Sequence, residues 1–382
     1  MRSVYLDNAA TTQLRKEVMH SMQECLQTAY GNPSSMHSFG RTCKTHVEKA
    51  RKTIASYINA DPSEIVFTSG GTEADNMALR GAVRDLGVKT IITSKIEHHA
   101  VLHTVIQLQR EYNIDVKYVA LGKCGIPDLD HLESLLKADD DKKLVSLMHV
   151  NNEIGNITDV DAVAALCKAY GALFHSDAVQ SMGHWEWDVQ KTGIDFLAAS
   201  AHKFHGPKGV GFAYIRKDSG LKPLIFGGEQ ERGYRAGTEA FHNIVGLETA
   251  LKLAYDNLDE ERQYITGLKN YFIEEIKKAF PEATFNGGCE AVDKSTYTLV
   301  NICLPVDEEK AQILLFHLDI NGIACSKGSA CQSGSDKGSH VLNTILREED
   351  LKKPSLRFSF STYNTTTDID YVLQVLKNFI GN

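Results

Sequence analysis

The alternation of strand-like and helix-like segments from about residue 60 to 217 predicts an α/β protein with a large doubly wound, mainly parallel sheet and a smaller α+β unit. Three observations carry this. Several strand candidates are near-continuous apolar runs, as expected where helices cover both faces of a sheet. Helical stretches separate most of them. After Gly237 the pattern changes to one long helical stretch followed by a strand, a helix, a strand and a final helix.

Taken in order, the strands are expected at 64–69 (EIVFTS), 90–94 (TIITS), 116–120 (VKYVA), 143–150 (KLVSLMHV), 172–177 (ALFHSD), 195–202 (DFLAASAH) and 209–216 (GVGFAYIR). Helices are expected over 73–86, 98–112, 128–137 and 159–170. The later part reads as a helix over 240–279 with Pro281 beyond it, a strand at 297–304, a helix at 308–318, a strand at 355–361 and a helix at 367–380. A chain of 382 residues is long for one core. The expected division is a large domain over 15–255 and a small one made of 1–14 and 256–382.

The net charge of −8 gives no electrostatic reason to expect direct nucleic-acid or anionic-membrane binding. No apolar run approaches the roughly 18 residues of a membrane-spanning helix. The opening MRSVYLDNAATTQ has no signal-peptide core, so a cytoplasmic location is expected. The eight cysteines (25, 43, 124, 167, 289, 303, 325 and 331) form neither a CxxC pair nor a zinc-ligand spacing. Most read as small core fillers, and Cys167 and Cys303 fit that role. Cys331 does not. It lies in ACSKGSACQSGSDKGSH (324–340), a Gly/Ser stretch with nothing to pack a core, so it sits on an ordinary surface loop or belongs to a thiol that has to move.

The richest segment is SAHKFHGPKGVG (200–211), which places Lys203 after an apolar strand, between two histidines and a Gly-Pro turn. A nucleophilic lysine needs partial desolvation and neighbours that lower its pKa; otherwise it is a surface lysine at a strand end. His202 and His205 are three apart, a spacing that at a strand end sends the side chains to opposite faces rather than to one metal. In TSGGTEADN (68–76) a strand runs through Gly-Gly-Thr into a helix, offering backbone N–H groups to a phosphate. HSDAVQ (175–180) delivers Asp177 and Gln180, and MHVNNEIGNI (148–157) delivers Asn151 and Asn152. All fall at the C-terminal ends of successive strands, where open α/β sheets bind ligands. Phosphate donors, an aspartate, polar amides and a strand-end lysine are the parts of a pyridoxal 5'-phosphate site.

At this point the sequence resembles the cysteine desulfurases of the NifS/IscS type, among the class V aminotransferase-like enzymes of fold-type I. The resemblance covers nearly the whole length. It rests on YLDNAATT (5–12), GNPSS (31–35), GGTEADN (70–76), EHHAV (97–101), MHVNNEIG (148–155), HSDAVQS (175–181), SAHKFHGPKG (200–209), RGYRAGTE (232–239), GSACQSGS (328–335) and SLRFS (355–359). It implies that Lys203 holds the cofactor covalently and later moves protons, and that His98 stacks on the ring and assists acid–base steps, with His99 structural. Asp177 would pair with the pyridine nitrogen, Gln180 and Asn152 would lie near the ring hydroxyl, and Thr72, the Gly71 backbone, Ser200 and His202 would hold the phosphate. Thr238 would reach the phosphate of a second subunit, which implies a homodimer. Arg357 would clamp the substrate carboxylate, with Asn152 beside it; read from its strand alone, Arg357 is also compatible with an outward-facing charge.

The implied reaction removes sulfur from L-cysteine, leaving a persulfide on Cys331 and releasing L-alanine. The persulfide would pass to an acceptor protein, such as an iron–sulfur scaffold or a tRNA-thiolation protein. No resident metal is implied, only a transient iron–sulfur contact through Cys331. Cys325 follows an apolar strand and reads as buried. The rival readings are a selenocysteine lyase or another class V aminotransferase-like enzyme, and a non-catalytic sulfur-relay or scaffold-binding protein. GSAC argues against a class V aminotransferase, and the retained Lys203 and Asp177 argue against a non-catalytic protein.

Overall fold

A computed structural model describes residues 2–291, 294–327 and 338–381. The chain opens with β1 (Val4–Tyr5), α1 (Lys16–Thr28) and α2 (Ser38–Tyr57). There follow β2 (Ile65–Thr68), α3 (Gly71–Arg84), β3 (Thr90–Thr93), α4 (His99–Tyr112), β4 (Asp115–Tyr118), α5 (Leu129–Lys137), β5 (Lys143–Ser146) and α6 (Val160–Ala169). Next come β6 (Leu173–Asp177), α7 (Val189–Thr192), β7 (Phe196–Ser200), β8 (Gly211–Ile215), α8 (Phe241–Asp256) and α9 (Leu258–Ala279). The rest is β9 (Thr284–Phe285), β10 (Leu299–Cys303), α10 (Glu308–Ile320), β11 (Ile323–Ala324), α11 (His340–Ile345), α12 (Glu348–Leu351), β12 (Ser355–Ser359) and α13 (Thr366–Ile380).

Seven strands form one sheet in the order β2-β8-β7-β6-β5-β3-β4. Six of them run in one direction; β8 alone is antiparallel to both neighbours, β2 and β7. The apolar runs are explained by cover on both faces. Leu197 and Ala199 of β7 enter a core shared with α1, α2, α6 and α8, while Phe196 and Ala198 face a second core built with α3 and α4. The mainly parallel α/β expectation is met, with one reversed strand.

A third core gathers Val4 and Leu6 with α9, β10, α10, β12 and α13 around a three-stranded sheet, order β12-β10-β9. The helix expected over 240–279 is two helices. Asn257 breaks it at φ −113°, ψ 15°, with both its backbone N–H and its side-chain amide donating to the Leu253 carbonyl at the end of the first helix. Among the described residues no helix is long and apolar enough to cross a membrane.

Candidate active site

The parallel strands end along one edge, and a cavity of about 370 Å³ opens there. Gly71, Thr72, His98, Asn152, Asp177, Gln180, Ser200, His202, Lys203 and Arg357 all line it. Local sequence explains each placement. β2 turns into α3 through Gly70, whose φ of 153° is open essentially to glycine alone. A Cβ on Gly71 would run into the Val179 side chain, so only glycine lets the first turn of α3 approach so closely. The N-terminal N–H groups of that helix therefore meet the cavity where an anion would sit.

His98 is the N-cap of α4. Its Nδ1 accepts from the Ala100 N–H at 3.1 Å, which leaves the proton of the neutral ring on Nε2. Burial, and then the charge of Lys203, pull its pKa to about 4, so the ring is neutral at pH 7. Asp177 ends β6, and one oxygen accepts from the Val179 N–H at 2.9 Å. Burial first, then Asp75, push its carboxyl up to about 7. A cation placed against it would reverse that cost.

Lys203 lies in a turn just past β7, with Nζ donating to the carbonyls of Ala9 (2.6 Å) and Ala10 (2.9 Å). The same N-terminal segment takes the Gln180 amide at Ala9 O (2.8 Å) and places Thr11 Oγ1 3.1 Å from His202 Nδ1. His205 instead turns to the Gln13 carbonyl at 2.7 Å, so the two histidines of HKFH serve different contacts.

Arg357 comes from the three-stranded sheet and is 2% exposed, which settles its direction: it faces inward. It donates to the Asn152 carbonyl at 2.7 Å and pairs with Asp7 at 2.9 Å. Thr238 is exposed and is not among the cavity's lining residues. Cys331 lies outside the described residues, yet both of its flanks are tied to the site. Ser326 pairs with Arg357 by backbone hydrogen bonds and donates Oγ to Asp7 at 2.7 Å. Ser339 Oγ donates to the buried Glu153, and His340 Nε2 lies 2.9 Å from the Glu97 carbonyl.

Cys325 is half-buried by exposure, with its thiol pushed up to about 12 chiefly by burial, so it is poorly suited to act as a thiolate.

Several site residues escaped the reading by sequence. Asp75 lines the cavity, fully buried, with its Oδ1 3.3 Å from His175 Nε2. Glu153 and His340 line it too, and His99, read as structural, joins them while stacking between His103 and His340. The signal lay within motifs already singled out, GGTEADN, EHHAV and VNNEIG, where only some members were given roles.

The donors fit pyridoxal 5'-phosphate. A helix N-terminus, Ser200 and His202 suit a phosphate, the carboxyl of Asp177 is raised by burial and forms no ion pair with a lysine or arginine among the described residues, and a lysine reaches the same space.

The family model for class-V aminotransferases matches residues 4–372. The chain is 44% identical over 381 residues to the cysteine desulfurase IscS of Dictyoglomus turgidum, covering 99% of this chain and 95% of that one. Among solved structures, a NifS-like protein superposes with a TM-score of 0.90 at 34% identity, with full coverage of both chains. SspA, solved in complex with cysteine, does so with a TM-score of 0.82 at 31% identity, covering 95% of this chain and 100% of that one. The chain belongs to the class-V aminotransferase family, and within it to the cysteine desulfurases of the NifS/IscS type.

Proposed function

We propose that the protein is a pyridoxal 5'-phosphate-dependent cysteine desulfurase that takes L-cysteine to L-alanine and carries the released sulfur as a persulfide on Cys331. The observation that carries this reading is the meeting, in one cavity, of a lysine, a buried aspartate with raised pKa, a neutral histidine and a buried arginine. The relatives' names agree with it, and SspA was solved with cysteine itself.

Pyridoxal 5'-phosphate bound there supplies an electron sink for the pair left when the substrate's α-proton departs. The chain's own groups do the rest. Gly71 N–H, Thr72, Ser200 and His202 would hold the phosphate, and Asp177 would set a negative charge against the ring nitrogen. Gln180 and Asn152 would serve the ring hydroxyl, and the neutral His98 ring would stack on the cofactor. Arg357 binds the substrate carboxylate, a planar two-pronged task. Lys203 holds the cofactor, takes the α-proton at Nζ and returns a proton to the product.

The Cys331 thiolate attacks the substrate sulfur. An S–S bond forms as the S–Cβ bond breaks, and protonation of the former Cβ completes alanine. Cys331 follows Ser326 by five positions along the chain, an extended reach of at most about 17 Å. Thr238 would reach the phosphate of a second subunit, which makes the working unit a homodimer. Sulfur-acceptor proteins, an iron–sulfur scaffold among them, take the persulfide sulfur, and the enzyme works in the cytoplasm. The domains divide at 15–255 against 1–14 and 256–382.

The reading is tested by absorbance. The purified protein should show a cofactor band near the visible edge that borohydride abolishes, leaving a reduced adduct that peptide mapping places on Lys203. Absence of the band after reconstitution, or an adduct elsewhere, contradicts it.

A further inference from the structure

At the end where a phosphate would sit, the active cavity continues into a second hollow of about 450 Å³. The two share Ala10, Gly71, Thr72, Ser200 and His202. Beside this hollow meet two motifs with members still unassigned: GGTEADN supplies Glu73 and RGYRAGTE supplies Arg235.

Glu73 lies in the first turn of α3 and reaches back to accept the Ser69 N–H at 2.7 Å. That bond closes the turn through Gly70 that brings the helix N-terminus to the cavity. It also sets a carboxylate where an anion is to bind. Among the described residues lining the hollow, Glu73 is the only carboxylate. His202 does not answer its charge, because burial pulls the ring's pKa to about 4 and leaves it neutral at pH 7. Lys208 is exposed to solvent, where a charge is well screened.

Arg235 does answer it. Its Nε donates to Glu73 Oε1 at 2.8 Å and its Nη2 to Oε2 at 3.3 Å, a two-pronged pair on a side chain only 9% exposed. Burial would push the Glu73 carboxyl up, but hydrogen bonds from Arg235 and Ser69 outweigh it and hold the group below its ordinary value. The arginine follows a strained turn. Glu231 and Arg232 are consecutive non-glycine residues at φ 47° and 56°, a conformation that persists only where contacts over-determine it. Here Glu231 takes Arg51 Nη1 and Nη2 at 2.8 and 3.0 Å and the Phe67 N–H at 2.8 Å, which fixes the turn to α2 and β2.

We propose that Arg235 is a positioning residue for the phosphate: through Glu73 it keeps the turn before α3 closed while cancelling the negative charge that this closure brings to the anion site. Arg235 lines neither hollow, so it acts only through Glu73. This role rests on the reading of the cavity as a pyridoxal 5'-phosphate site.

Affinity is the readout. Cofactor-free parent, Arg235→Gln and the double variant Glu73→Gln, Arg235→Gln are titrated with pyridoxal 5'-phosphate and with pyridoxal, which lacks the phosphate. Arg235→Gln should bind pyridoxal 5'-phosphate about tenfold more weakly, since a bare carboxylate then faces the phosphate, while binding pyridoxal as the parent does. The double variant should regain the parent's affinity. Equal losses for both ligands, no loss at all, or a double variant as weak as the single one overturns the proposal. Should Arg235→Gln not fold, Glu73→Gln alone is measured: it should bind pyridoxal 5'-phosphate at least as tightly as the parent, and weaker binding refutes the role. Inorganic phosphate, titrated into the same cofactor-free proteins, separates this role from the reading beneath it. A parent with no cofactor band whose phosphate affinity still falls in Arg235→Gln would refute the cofactor and spare the arginine. Phosphate binding indifferent to Arg235→Gln would refute the arginine alone.

Discussion

Two sheets supply the active cavity, and they do so in different ways. The seven-stranded sheet offers residues from its strand ends and the turns just beyond: Thr72 after β2, Asp177 closing β6, Ser200 closing β7 and Lys203 in the following turn. The three-stranded sheet offers Arg357 from the middle of β12, in register with Asn301 of β10. Strand-end groups are held by caps and backbone carbonyls, whereas the arginine is held by sheet register and by its pair with Asp7. The difference separates tasks. The proposed cofactor contacts gather on the large sheet, and the proposed substrate anchor comes from the small one.

That separation can be broken by mutation, and the largest effect belongs to the large sheet. Lys203→Ala should abolish turnover of L-cysteine and the borohydride-trapped adduct together. Asp177→Asn should keep cofactor binding but lower kcat by about 10²–10³-fold, the usual scale for removing one electrostatic stabiliser. Its absorbance band should shift at constant pH. Arg357→Lys should leave the spectrum of the resting enzyme intact and raise KM by about 10–100-fold, the worth of a charge-assisted hydrogen bond. If Arg357→Lys also erased the cofactor spectrum, the two sheets would not divide the work.

A pH experiment sharpens the contrast further. His98, His149, His175, His184, His202 and His205 all belong to the large-sheet region, and burial pulls each to about 4. Their folded pKa values lie below the unfolded 6.5, so the stability they contribute is present above pH 6.5 and is lost as pH falls toward 4. Asp75, Glu97 and Asp177, all raised by burial, run the other way and favour the folded state as pH falls. Glu153, Asp195, Glu239 and Glu261 are raised by burial as well, so the two sets oppose each other and a readout confined to the histidines is needed. In the cofactor-free protein the imidazole NMR signals of these six histidines should stay in the neutral form from pH 7 to 5.5, and titration of any of them at the ordinary histidine value would contradict the buried, neutral rings. The smallest effect is expected at Cys325→Ser, which should leave activity near that of the parent because that thiol is held protonated.

Much of the fold and the cavity was legible because its signals are local. An apolar run ending in Gly-Gly-Thr, or in His-Ser-Asp, marks both a strand and the chemistry at its end. The reversed direction of β8 was not legible, since a strand buried on both faces reads the same either way. Nor was the break at Asn257, where a single residue leaves the helical φ/ψ region within an otherwise helical pattern. The Arg357–Asp7 pair joins residues 350 apart, and no local pattern announces such a meeting.

The central claim is sulfur transfer from L-cysteine to Cys331, and one paired assay tests it most directly. Parent and Cys331→Ser proteins, both showing the cofactor band, are given L-cysteine and a reductant, and alanine and sulfide are measured. The parent should form both products in equal amounts, and the variant should form neither above background while keeping its spectrum. Turnover of cysteine by Cys331→Ser at the parent's rate would contradict the account.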